Sequence, residues 1–361
     1  MNVTRQLVPI VLAALCLGTS AGFAQNRAAP QKVVFDTDFN TIGDDGQAFV
    51  MLAQAVVDGR IDLLGVTVVS GNQWLDQGLA DALRAVERMG LSNLPVHAGA
   101  VNPLVHSQAL LPLEQQLFGR GYSGAWRRAR PTAEQLVAPP DGFAREVRPS
   151  STDAVNALVQ LVKANPGEVT ILAVGPLTNV ALAIRKNPEI VPLIKRVVYM
   201  GGAIDVPGNV TPAAEFNWWF DPEAARIVLR EPIEHVIVPL DVTDKTRFGR
   251  DIYDRINAAA TPVTRLFAAE YAKAFEAAPD SRQEIWDTIT VAWLLDPTIA
   301  TKTEERFVDV DVVFGPNYGR SVGHRRNPPA GVQKAKVILE IDQDRFWALF
   351  VDLLTRKVPA G

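Results

Sequence analysis

Short apolar runs rich in β-branched residues alternate with amphipathic stretches along almost the whole chain, and this rhythm leaves few folds open. Strands are predicted near residues 33–36, 62–69, 169–174, 196–200, 235–240, 307–313 and 336–341. Helices are predicted near 45–57, 74–89, 152–164, 177–186, 221–230, 263–276, 286–295 and 343–355. β-α alternation of this kind yields an open, mainly parallel sheet covered by helices on both faces, a Rossmann-like α/β architecture. The segment from about 103 to 150 breaks the rhythm with Pro, Gly and Arg, and reads as a long surface excursion that borders the site. No flexible linker divides the remainder, so residues 25–361 are expected to form one domain.

Residues 1–24 read as an export signal: Arg5 in a short polar start, an apolar run from Leu7 to Leu17, and small residues up to a cleavage point near Ala24. The run is shorter than the ~20 residues a membrane span needs, so a soluble, exported, periplasmic protein is expected. The chain's one cysteine, Cys16, lies in that leader. The mature protein then has neither disulfides nor a thiol nucleophile. A net charge of −4 without a long basic run lacks the footprint of a nucleic-acid binder, and a small-molecule partner is expected.

The chemistry begins where Val33-Val34-Phe35 runs into Asp36-Thr37-Asp38, with Asp44-Asp45 following a short loop later. Those acids sit at the carboxyl end of a predicted strand, the edge on which ligands bind in open α/β sheets. Clustered carboxylates call for a hard cation such as calcium or magnesium. The bland alternative is that Asp44 caps the next helix while the others are solvated. The opening is also similar to the nucleophile loop of haloacid dehalogenase-type phosphatases, which would not need the motifs that follow.

Further polar clusters end later strands: Ser70-Gly71-Asn72, Gly175-Pro176-Leu177-Thr178-Asn179 and Gly201-Gly202. Asn209, Glu215 and Asn217 offer amide donors and acceptors and a carboxylate suited to gripping a polyhydroxylated sugar. Asp287, at the head of an apolar stretch, is either a helix cap or a late carboxylate returning to a metal.

Taken in order, these motifs resemble the inosine-uridine preferring nucleoside hydrolases, metal-dependent N-ribohydrolases. The resemblance implies a calcium ion held by Asp38, Asp45, the main-chain carbonyl of Thr178, and Asp287. It implies Asp38 as the base that deprotonates the attacking water, with Asp44 in support. Asn72, Asn209, Glu215 and Asn217 would bind the ribose, Asn40 would line the same pocket, and the assembly would be a dimer or tetramer.

Two departures from the family stand out. The loop from Asp38 to Asp44 is two residues longer than its shortest form, and Trp286 occupies the position where many members carry a histidine that protonates the leaving base. None of His97, His106, His235 and His324 lies in a motif that would replace it. The purine-specific branch is similar in having tryptophan there, so purine preference is expected, with the base stacked between aromatic rings. Trp74, Tyr122 and Trp126 are candidates for the second ring, Trp126 first. The alternatives are a broader pyrimidine or nicotinamide riboside hydrolase, or a non-catalytic periplasmic nucleoside- or ribose-binding protein.

Overall fold

A computed structural model describes residues 29–358; the leader, including Cys16, lies outside them. Nine strands form one sheet. In chain order the strands are β1 (Gln31–Thr37), β2 (Ile61–Val68), β3 (Val96–Ala98), β4 (Thr170–Ala173), β5 (Arg196–Met200) and β6 (Glu234–Val238), then β7 (Arg247–Phe248), β8 (Gln283–Glu284), β9 (Ala300–Val310), β10 (Ser321–His324) and β11 (Lys334–Ile341). The sheet order is β10-β9-β11-β6-β5-β4-β1-β2-β3, while β7 and β8 make a separate antiparallel ribbon. Every pairing from β11 to β3 is parallel, and β9 and β10 add an antiparallel edge.

β1 shows why the sheet must be covered twice. Val33 and Phe35 belong to one hydrophobic core and Val34 to the other, all fully buried. Alternate side chains of a strand face opposite sides, so each face needs its own helices. The helices Asp44–Val57, Thr288–Leu295 and Gln343–Thr355 cover the first face, and Ala154–Ala164, Thr178–Lys186 and Pro222–Leu229 the second.

The order places β1 between β2 and β4. The chain winds outward in one direction from β1 and in the other from β4, which makes the gap between their carboxyl ends the topological switch point, where the departing loops separate into a crevice. The register pairs Asp36 with Ala173, so Asp38 and Gly175 emerge side by side.

The excursion from 103 to 150 carries only short helical turns and the helix Leu111–Leu117. Strand β9 begins at Ala300, earlier than its apolar tail predicts, because its polar first half is paired with β11. Among the described residues no helix is long and apolar enough to cross a membrane.

His235 on β6 is buried; its Nδ1 accepts from the Tyr199 hydroxyl at 2.7 Å and its Nε2–H donates to the Glu231 carbonyl at 2.9 Å. Burial pushes the imidazole down to about 4, so the folded state holds it neutral. Its stabilising contribution is present above the unfolded value near 6.5 and is lost as pH falls toward 4. Equilibrium unfolding at pH 7 and pH 4.5 should show a component of this acid loss, on the order of 2–3 kcal/mol, that disappears in a Tyr199→Phe/His235→Leu double variant.

Candidate active site

A cavity of about 410 Å³ opens at the switch point. Its lining includes Asn40, Asp44, Asn72, Asn209, Glu215, Asn217, Trp286 and Asp287, joined by Tyr122, Val174, Met200, Phe216 and Glu284. Segments more than 200 residues apart in sequence therefore meet at one place, as the ends of β1, β2, β4, β5 and the β8 ribbon converge.

On its floor, one carboxylate oxygen from each of Asp44, Asp45 and Asp287 lies within 4.8 Å of the others. Asp38 adjoins them. Its Oδ2 accepts the Asn72 N–H at 2.6 Å, while its Oδ1 is buried with no partner. Asp45 accepts from the Thr37 hydroxyl and, at 3.1 Å, from Asn72 Nδ2. Asn40 Nδ2 donates to Asp44 at 3.2 Å. Neither Asp44 nor Asp287 serves as a helix cap: Gly43 precedes the first helix, and Asp287 makes no capping hydrogen bond.

Burial dominates the electrostatics. It drives Asp38 up to about 8, opposed by the Asn72 N–H and reinforced by the Asp44 charge. Asp45 and Asp287 are raised well above the ordinary carboxylate range, first by burial and then by the neighbouring acids. Asp36, behind the cluster, rises to about 7 despite hydrogen bonds from Thr67 (2.6 Å) and Asn179 (2.9 Å). A dehydrated carboxylate cluster of this kind, repelled by a further acid with an unpartnered buried oxygen, fits a hard cation with oxygen ligands.

Two glycines make the cluster possible. A Cβ on Gly71 would stand 2.1 Å from Asp38 Oδ2, and one on Gly175 would stand 2.7 Å from the Asp38 main-chain nitrogen. The turns Ser70-Gly71-Asn72 and Gly175-Pro176 are thus packed onto the Asp38 carboxylate. In the second turn, Asn179 ties β1 and β2 together by bonding Asp36 and the Val68 carbonyl.

Hydrogen-bond inventory refines the polar side chains. Asn217 donates both amide hydrogens, to the Val174 carbonyl (2.8 Å) and the Met200 carbonyl (3.1 Å), which leaves Oδ1 as an acceptor. Asn209 Oδ1 accepts the Phe216 N–H at 3.0 Å, leaving its Nδ2 as a donor. Glu215 caps the short helix Phe216–Phe220 and takes N–H groups from Gly202, Asn217 and Trp218 at 2.7–3.1 Å. Burial pushes it up to about 7.

Five expected residues do not line the cavity: Asp38 and Asp45 are fully buried beside the lining acids, and Thr178, Trp126 and Trp74 lie elsewhere. Thr178 opens the helix Thr178–Lys186, and its hydroxyl donates to Asp221 at 2.6 Å; it does not line the cavity. Val174, at the very end of β4 and four residues earlier, does line it, and its carbonyl already faces Asn217. The motif signalled the right turn, and the residue there that lines the cavity is Val174, just before it. Trp126 is 4% exposed and stacks on Phe220 at 4.2 Å, and Trp74 is likewise buried with its indole N–H on the Arg128 carbonyl. Both belong to a small apolar core beneath the cavity mouth. The aromatic residues that do line the cavity are Trp286, Tyr122 and Phe216; the last two pack at 5.1 Å, with the Arg127 guanidinium over the Tyr122 ring. Sequence motifs do not single out Phe216 or Glu284, although Phe216 stands directly between Glu215 and Asn217; Glu284 lies in a polar stretch.

None of the four histidines lines the cavity. His106 is buried against Glu114 and the Trp219 carbonyl, His97 bonds the Thr152 carbonyl, His235 pairs with Tyr199, and His324 ends β10.

The sequence signature of the inosine-uridine preferring nucleoside hydrolases matches residues 33–348. The chain is 34% identical to a pyrimidine-specific ribonucleoside hydrolase, RihB, of Escherichia coli strain SE11, over 88% of this chain and 95% of that protein. Among solved structures it is similar to a plant nucleoside hydrolase, PpNRh1 (25% identity, TM-score 0.75, 90% and 99% of the two chains). It is also similar to a purine-preferring ribonucleoside hydrolase from Gardnerella vaginalis (26% identity, TM-score 0.72, 90% and 98%). With its acid cluster at the switch point and its signature spanning nearly all described residues, the chain belongs to the inosine-uridine preferring nucleoside hydrolase family.

Proposed function

We propose that this protein is a calcium-dependent hydrolase of purine ribonucleosides, cleaving the N-glycosidic bond to give ribose and the free base. The observation that carries the purine assignment is Trp286: it lines the cavity beside Asp287, in a site no histidine lines. Stacking on an indole is worth ~0.5–1.5 kcal/mol beyond area burial, and its flat face suits the larger bicyclic base better than a pyrimidine. Tyr122 and Phe216 are the residues placed to supply the opposing aromatic surface, in the role expected of Trp126.

Asp38, Asp45, Asp287 and the Val174 carbonyl would hold the cation, with Asp44 beside them. When bound, calcium would supply the Lewis acidity that lowers the pKa of a water and orients the sugar diol. The chain's own groups do the rest. Asp38, fixed by the Asn72 N–H through one oxygen, has the other free to take the proton of the attacking water. Asn217 Oδ1 and Glu215 accept from ribose hydroxyls, and Asn209 Nδ2 donates. These contacts strengthen as the ribose gains oxocarbenium character and its hydroxyls become better donors.

A second assignment, to pyrimidine ribonucleosides, is favoured by the name of the Escherichia coli relatives. An exported, periplasmic location is also proposed, on the strength of the leader. The cluster of Asp44, Asp45 and Asp287, with the Asp38 charge acting on it, supports an enzyme over a pure binder, since a binder gains little from so many acids.

Ribose release from inosine, guanosine, adenosine, uridine and cytidine, measured after chelation and again with calcium restored, tests the assignment. Calcium-restored cleavage led by purines is expected, and Trp286→His should reduce it without creating efficient uridine cleavage. Uridine or cytidine leading in the wild type would overturn the purine assignment. Gly71→Ala should cost ~100-fold or more in kcat/KM, because the new methyl displaces the Asp38 carboxylate, while the thermal transition stays cooperative. Activity near wild type would contradict the placement of Asp38.

A further inference from the structure

Glu284 is the one carboxylate lining the cavity that belongs neither to the acid cluster nor to the ribose-facing set. It sits on β8, directly across the two-stranded ribbon from Arg247, and the two side chains form an ion pair at 2.8 Å through Arg247 Nη2 and Glu284 Oε1. The ribbon lies outside the main sheet, and its last residue leads straight to Trp286 and Asp287.

Exposure alternates along this stretch, with Ile285 and Asp287 buried and Trp286 and Glu284 open to the cavity. Asp287 is 2% exposed on the floor, Trp286 is half-buried, and the Glu284 side chain is 42% exposed at the rim. Trp286 and Glu284 share one wall of the cavity while Ile285 between them is buried, so a base resting on the indole would have Glu284 as its neighbour. The indole contacts the face of the base, so the residue beyond it meets an edge. Arg247 occupies one carboxylate oxygen and fixes the group's orientation, and no other side chain or main-chain group bonds Glu284 among the described residues.

We propose that Glu284 is a specificity-determining residue that reads the Watson–Crick edge of the base and makes guanosine the preferred purine. This inference rests on the purine assignment above. An ionised carboxylate only accepts hydrogen bonds. Guanine presents two adjacent donors, N1–H and the 2-amino group, and can satisfy both oxygens. Hypoxanthine presents N1–H alone. Adenine places the N1 lone pair next to its amino donor, so one carboxylate oxygen would face a lone pair. A site built around buried or oriented hydrogen-bonding groups rejects the ligand that leaves them unpaired more strongly than an apolar wall would.

The test compares kcat/KM for guanosine, inosine, adenosine and uridine in the calcium-loaded wild type, Glu284→Gln and Glu284→Ala, with thermal unfolding to verify the fold. Wild type should rank guanosine above inosine above adenosine. Glu284→Gln, whose amide offers one acceptor and one donor, should lower the guanosine-to-adenosine ratio at least tenfold. Glu284→Ala should lower the guanosine-to-inosine ratio. If purines lead over uridine but both ratios are the same in all three proteins, Glu284 does not read the base and only this inference falls. If uridine leads in the wild type, the purine assignment falls and takes this inference with it. A ratio that changes in the alanine variant but not in the glutamine variant would also overturn the proposal, because it would point to space rather than hydrogen bonding.

Discussion

Several carboxylates buried side by side, with nothing basic among them, set the terms for the rest of this molecule. Asp38, Asp45 and Asp287 are almost wholly removed from water, and their ionised forms are held back by burial and by one another. The folded state therefore binds protons more tightly than the unfolded chain. Carboxylates raised in this way stabilise the fold fully below their ordinary value near 3.8, and that contribution is lost as pH rises through the folded values. At neutral pH the metal-free cluster is a strained feature that a divalent cation would relieve.

The fold is arranged to impose that strain. Only at the gap between β1 and β4 do two loops leave neighbouring parallel strands in opposite directions, and Asp38 and Gly175 meet there. Gly71 and Gly175 lack the side chains that would push Asp38 away, and Asn72 fixes it with its main chain while its side chain holds Asp45. The short helix Phe216–Phe220 then delivers Asn217 to the Val174 carbonyl, which links the sugar-facing residues to the end of β4. Catalytic placement and hydrogen-bond satisfaction of the strand ends are the same set of contacts.

The sheet and the acid cluster were legible in the sequence because their signals are local. Apolar runs of four to eight residues mark buried strands, and Asp-x-Asp at the end of one marks its loop. Asn72, Asn209, Glu215 and Asn217, singled out by their motifs, all line the cavity. What sequence alone misplaced depended on distances along a turn or on packing between remote segments. Val174 lines the cavity where Thr178 does not, and a main-chain carbonyl carries no side-chain signature. Trp126 lies in an irregular segment and looked free, yet Phe220, nearly a hundred residues later, buries it. Tyr122, the candidate that does line the cavity, and Phe216 and Glu284, which the motifs do not single out, reach it through the excursion, the capped helix and the β7–β8 ribbon.

If the buried carboxylates form a site for one divalent cation, the metal-stripped protein must bind calcium. Calorimetric titration at pH 6 and pH 8, repeated in buffers of different ionisation enthalpy, should give one ion per chain. Binding should be tighter at pH 8 and accompanied by proton release, because the raised carboxylates must give up protons to become ligands. Asp45→Asn and Asp287→Asn should each abolish it. Absence of binding, or binding that neither substitution weakens, would contradict the account.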